Sequence, residues 1–233
     1  MTEKIQYGSK TISFELTYSK RKTLGITVHP DLSVSVKAPE DAQKAVIFQK
    51  VEKRAPWIME QKRFFLAFEP RHPEYLYKSG ESHYYLGRQY LLKIQKGKAE
   101  EVHYSGRFLK IETNNFSPEH IKKLLDKWYR ERAKLKFAEY AEPLIQGFKK
   151  YNAEPNKLYI QQMKNRWGSC SAKGNIILNP ELIKAPKACI EYVIVHELCH
   201  LIHRNHTKAF FALQSREMPD WEKWKLKLEN FMA

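Results

Sequence analysis

Pro186-Lys187-Ala188-Cys189-Ile190-Glu191-Tyr192-Val193-Ile194-Val195-His196-Glu197-Leu198-Cys199-His200-Leu201-Ile202 is the one strongly apolar helical run in the chain. Its apolar residues leave almost no polar face apart from His196, Glu197 and His200, the pattern of a helix buried on all sides. Residues four apart lie on one face a turn apart, so His196 and His200 can present two imidazoles to a single metal ion with Glu197 beside them. Neutral imidazole suits zinc, three protein ligands leave a position for water, and a neighbouring carboxylate can take that water's proton. The bland alternative, hydrogen-bonded core histidines and a glutamate paired at the surface, fits less well, because an unpaired internal carboxylate is costly to bury.

His206 stands six residues beyond His200. A continuing helix would carry it about 9 Å along the axis and onto another face, so the chain must leave the helix and turn back for it to reach the same ion. His203-Arg204-Asn205 lies where that turn is needed, and His and Asn tolerate the left-handed conformation. His203 is the rival ligand. It shares the face of His196 but sits about 10.5 Å further along, which makes it a turn residue or a substrate contact instead.

The rest of the chain sets bounds. With 233 residues, 42% hydrophobic and 13% aromatic, it can build one large or two small cored domains. No stretch approaches a transmembrane span, the polar start does not read as a signal peptide, and Cys170, Cys189 and Cys199 form no even disulfide framework, so a reducing cytoplasm is expected. The net charge of +15 is spread over the chain outside its metal-binding end, with no basic tail. A generally basic surface accounts for it, as would an anionic partner, either nucleic acid bound weakly or a phosphorylated small molecule.

In chain order, Ile12, Phe14, Leu16 and Tyr18 alternate, followed by Leu24, Ile26 and Val28 and, after a turn at His29-Pro30-Asp31, by Leu32, Val34 and Val36; antiparallel strands are expected. Residues 41–67 take helical spacing, and Pro56 opens a second helix carrying Trp57, Ile58, Phe64 and Phe65. Strand character returns from Tyr75 to Thr113. Ser117-Pro118 opens a long helix with a stripe of Ile121, Leu124, Leu125, Trp128, Leu135 and Ala138, and Pro143 should kink or end it. Leu158–Met163 and Asn175–Leu178 look like a strand pair around Asn165-Arg166-Trp167-Gly168-Ser169-Cys170-Ser171, whose cation, ring and small polar groups suit ligand contact. Two helices close the chain, Thr207–Arg216 and Pro219–Phe231, anchored by Phe210, Phe211, Trp221 and Trp224. The expected fold is α+β: an antiparallel β-rich region with helices over 1–116, then a metal-binding region with a buried active-site helix over 117–233, or the two as one continuous domain.

The segments from Asn165 to Ser171, Gly174-Asn175-Ile176, and Val195 to Leu201 followed by His206 and Phe210 resemble the YgjP-like metal-dependent hydrolases, grouped with the WLM and SprT-like zinc metallopeptidases. Arg21-Lys22-Thr23-Leu24 with the Val34–Pro39 strand, and Tyr85-Leu86-Gly87 before Tyr90, fit the amino-terminal half of that family. The resemblance implies a zincin-like catalytic region with zinc on His196, His200 and His206 and Glu197 as the catalytic carboxylate. Where the metzincin pattern has a glycine, this chain has His203.

The chemistry expected is hydrolysis by activated water with one zinc ion, or another divalent metal, and a peptide substrate. Arg166 is the candidate for stabilising the oxyanion, Trp167, Ser169 and His203 are candidates for binding substrate, and the 158–163 strand is the natural edge for pairing with a peptide backbone. Two alternatives use the same motif. A nucleoside triphosphate pyrophosphatase, acting on a nucleotide such as UTP, would draw on the dispersed positive charge but lacks a Gly-rich phosphate loop or an acidic magnesium cluster. A nucleic-acid-associated module with structural zinc would have no use for Glu197.

Overall fold

In the computed structural model, which describes residues 2–8, 10–29, 31–66, 75–163 and 166–232, the chain folds as two units, Met1–Pro73 and Glu74–Met232. The first is a four-stranded sheet with two helices. Strands β1 (Thr2–Tyr7), β2 (Lys10–Ser19), β3 (Gly25–Val28) and β4 (Val34–Pro39) lie in the order β1-β2-β4-β3. Ile12, Phe14 and Leu16 turn to one face as their alternation requires. They bury against Ile47 and Val51 of helix α1 (Lys44–Lys53) and Ala55 and Ile58 of helix α2 (Ala55–Leu66). Pro56 sits in the first turn of α2, where its missing N–H costs nothing. Pro30 and the side chains of Phe64 and Phe65 lie outside the described residues.

The second unit opens with β5 (Ser82–Tyr85), β6 (Arg88–Lys96), β7 (Glu101–Ser105) and β8 (Phe108–Thr113), in the order β5-β6-β8-β7. Helix α3 (Pro118–Phe148) follows, then β9 (Lys157–Ile160), β10 (Gly168–Cys170) and β11 (Asn175–Leu178), and helices α4 (Lys187–Ile202), α5 (Lys208–Glu217) and α6 (Trp221–Met232). Tyr85, Leu92, Leu109 and Ile111 share one core with Trp128 and Phe137 of α3 and with Ile190, Ile194 and Leu198 of α4. Strands β5 to β8, expected to belong with the amino-terminal region, are therefore packed together with the long helix.

Four expectations change. Neither four-stranded sheet is purely antiparallel: β2 pairs parallel with β4, and β6 with β8, because alternation fixes the face a side chain takes but not the direction of its neighbour. Leu32 belongs to a turn with φ +66°, and β4 begins at Val34. Leu135 is 63% exposed and Ala138 is also exposed; the buried stripe of α3 runs through Ile121, Leu125, Tyr129, Ala133, Phe137 and Tyr140. Pro143 does not end α3, which continues to Phe148, with Tyr140, Ala141 and Phe148 buried on both sides of it. Packing of that face outweighs the hydrogen bond a helical proline forfeits.

The start of α4 is fixed from the strand side. Leu86 N–H donates to Ile183 O and Gly87 N–H to Lys184 O, both at 2.9 Å. Gly87 has φ +76°, and a methyl carbon on it would lie 2.7 Å from Pro186 Cγ, so only glycine lets this turn abut the residue that opens α4. On α4 itself, Ile190, Val193, Ile194, Val195, Leu198 and Cys199 are all buried. Among the described residues no helix is long and apolar enough to cross a membrane, and all three cysteines are free thiols.

Candidate metal centre

Helix α4 ends at Ile202, and its last backbone bond runs from His203 N–H to Cys199 O. The chain leaves in extended form, His203 having φ −122° and ψ 103°, so the turn needs no left-handed residue there. Thr207 then caps α5, its hydroxyl accepting from Phe210 N–H. His206 lies between these two helix ends and returns to the face of α4: its Nε2 is 3.0 Å from His196 Nε2. The ligand atoms of His196, His200 and His206 all lie within 4.8 Å of one another. Phe210, fully buried, packs beneath all three rings, with centroid distances of 5.0, 4.7 and 4.8 Å.

Hydrogen bonds select the tautomer of two of these rings. His196 Nδ1 faces the side-chain oxygen of Gln214 at 2.9 Å, and His200 Nδ1 faces the His203 carbonyl at 3.1 Å. Each acceptor holds the proton on Nδ1 and leaves the Nε2 lone pair for a ligand. Burial, only partly offset by the Gln214 bond and joined by the charges of the other two rings, lowers the His196 pKa to about 4. Burial likewise lowers that of His200. Both are therefore neutral at pH 7, the form that binds metal.

Glu197 is buried, and its Oε2 has no hydrogen-bond partner among the described residues. Burial raises its pKa to about 7 against the pull of the Arg166 charge and a hydrogen bond from the Cys170 backbone. The carboxylate opens on a cavity of about 520 Å³ walled by α4 on one side and residues 166–170 on the other. Arg166, Trp167 and Ser169 line this cavity together with all three histidines. Arg204 also lines it, tied down by a 3.0 Å bond from Nη2 to Ala172 O. His203, expected as a substrate contact, is not among the lining residues; it contributes its carbonyl to His200. Asn165 lies outside the described residues.

The two strands expected as a pair, β9 and β11, do lie side by side, and the segment between them adds a third strand. β11 runs parallel to β9 and antiparallel to β10, so β10 is the edge beside α4, and β9 is the far edge of the sheet. The 158–163 segment does not line the cavity. A three-residue strand around a glycine carries too little alternation to be recognised.

Gln214, Tyr192 and Arg204 were not singled out by the sequence reading. Gln214 had a signal: with Phe210 and Leu213 it falls on the inward face of α5, and it is a fully buried polar residue. Of the acidic residues downstream, Glu217 accepts hydrogen bonds from Tyr151 and Lys150, and Asp220 accepts one from Trp224. A trio of imidazoles, two of them with fixed tautomers, beside a buried carboxylate oxygen lacking a donor, fits one divalent metal ion and a water molecule. A family model described as YgjP-like, metallopeptidase domain, matches residues 22–231. No curated protein matches the chain.

Proposed function

The chain belongs to the YgjP-like family of metallopeptidase domains, and on that footing we propose a zincin-like peptidase that takes one zinc ion on His196, His200 and His206, with Glu197 as general base. The observation that carries this reading is Glu197 Oε2, buried without a partner on the cavity that the three histidines line. Zinc held by three imidazoles supplies Lewis acidity that polarises a carbonyl and acidifies water. Glu197, whose carboxyl burial brings near neutrality, takes a proton from the attacking water and returns it to the departing amine. Arg166, on the cavity wall, meets the charge developing on the carbonyl oxygen. β10, an edge strand on that wall, aligns the extended peptide, and Trp167 and Ser169 contact its side chains.

The pyrophosphatase reading has less support, since among the described residues Arg166 and Arg204 are the only Lys or Arg side chains that line the cavity to meet a triphosphate. The test incubates zinc-loaded protein separately with a peptide library and a nucleotide panel. Peptide cleavage that Glu197→Gln abolishes while keeping zinc is the expected result. Release of pyrophosphate without peptide cleavage would overturn the proposal.

A further inference from the structure

Arg21-Lys22-Thr23-Leu24 takes no part in the metal centre. In the first unit, Lys22, Thr23, Leu24 and Ile26 line one wall of a second cavity of about 760 Å³. Lys50, Lys53 and Arg54 line the other, at a helical spacing that puts all three cations on one side of the α1–α2 junction, and Trp57 follows them. No acidic residue lines this cavity, and none of the four cations has an ion-pair partner among the described residues. Trp57 is 36% exposed, whereas its neighbour Ile58 fills the core.

Four converging positive charges without a counter-charge repel one another, which marks the cleft for an anion. A simple inorganic anion would make no use of the rest. The apolar Leu24 and Ile26 and the open indole suit a flat apolar group held between charged contacts. Bases joined by phosphates have that alternation, and an unpaired base can stack on an indole while the neighbouring phosphates meet lysine and arginine. A base in a duplex offers no free face. We propose that this cleft binds single-stranded nucleic acid, with Lys22, Lys50, Lys53 and Arg54 on phosphates and Trp57 under a base.

The test is fluorescence anisotropy of a short labelled oligouridine with the full-length protein across a salt series. If the four cations each neutralise one phosphate, log Kd rises with log salt with a slope of about 3. Lys50→Glu with Lys53→Glu should weaken binding at least tenfold and reduce the slope by about 1.4. Lys22→Glu, on the opposite wall, should act in the same direction. Trp57→Ala should weaken binding about tenfold with the slope unchanged, and Trp57→Phe should restore most of the loss. Lys122→Glu with Lys123→Glu, on the exposed face of α3, should leave binding unaltered. The proposal is overturned if no binding occurs at low salt, if the cleft variants bind like the parent, or if the α3 variant loses as much as they do. It is overturned equally if a duplex binds as tightly, or if uridine monophosphate competes as well per nucleotide as the strand. Activity at the metal centre plays no part in these outcomes.

Discussion

Gly168 and Glu197 are in direct contact across the cavity: a methyl carbon on Gly168 would lie 2.6 Å from Glu197 Oε1 and 2.8 Å from its Cγ. Val193 Cγ1 would be 2.9 Å away, so two side chains of α4 crowd the same position. The glycine of the Arg166-Trp167-Gly168-Ser169-Cys170 segment therefore leaves the space the buried carboxylate fills. Gly168→Ala should displace Glu197 while leaving the histidines in place. Overpacking of this kind costs about 1–3 kcal/mol. We expect kcat for the best library peptide to fall at least tenfold with zinc stoichiometry unchanged. An unaltered kcat would show that the carboxylate's position is not critical.

Gln214 is fully buried, and its oxygen faces His196 Nδ1 at 2.9 Å. Replacing it with leucine of similar volume removes the acceptor and frees the imidazole to place its proton on the ligand nitrogen. Loss of such a supporting bond lowers metal affinity about 10- to 100-fold. Competition with a chelator measures this directly. Gln214→Glu retains an acceptor and should retain affinity, so equal losses in the two variants would point to packing instead of the hydrogen bond.

How much of this was legible in the sequence depended on how many independent patterns pointed to one element. Helix α4 was legible because its apolar residues run all round it and its three ionisable exceptions have metal-site spacing. β2 was legible from Ile12, Phe14 and Leu16. β1 was not, because Ile5 is its one buried side chain and a single apolar residue has no period. The phase of α3 was lost past Trp128, where Leu135 offered a plausible continuation and the true stripe passed through Ala133 and Phe137. Strand direction is invisible to alternation, so none of the three parallel pairs could be read as parallel. The His206 position could be inferred from chain geometry, but Gln214 acts through its tertiary neighbour and belongs to no local motif.

Glu217 ties the end of α5 to the segment after α3, accepting from Tyr151 Oη at 2.5 Å and Lys150 Nζ at 2.9 Å. Burial alone would raise its pKa, but these two donors outweigh it and hold the carboxyl below its ordinary value. A carboxyl depressed in the folded state binds fewer protons there than in the unfolded chain, so its contribution is complete above the ordinary carboxylate pKa and disappears as the pH falls through the folded value. Glu217→Gln should therefore lower Tm at pH 7 by a few degrees. The difference from the parent should shrink as the pH drops below about 4. A gap that widens in acid would contradict the assignment.

Two carboxylates downstream, Glu217 and Asp220, are the other side chains that could supply a third ligand, and their partners differ from those of His206. Glu217 is engaged by Tyr151 and Lys150, and Asp220 Oδ2 accepts from Trp224 Nε1 at 2.6 Å. His206 instead faces His196 at 3.0 Å and stacks on Phe211 with the ring planes 22° apart. Nitrogens about 2.0–2.1 Å from a tetrahedral zinc stand about 3.3 Å from each other, close to the distance seen. Metal that binds only the folded state stabilises it by about 2.7 kcal/mol at one hundred times its Kd, so zinc should raise Tm of the parent protein measurably. His206→Ala should lose most of that rise, together with zinc stoichiometry and hydrolysis. Glu217→Ala and Asp220→Ala should keep both the zinc stoichiometry and the zinc-dependent rise, whatever they do to Tm without metal. Glu197→Gln should keep the rise and lose turnover, since its carboxylate acts on water and not on the ion. Normal zinc stabilisation in His206→Ala, with its loss in either acidic variant, would move the third ligand to α5 or to the start of α6.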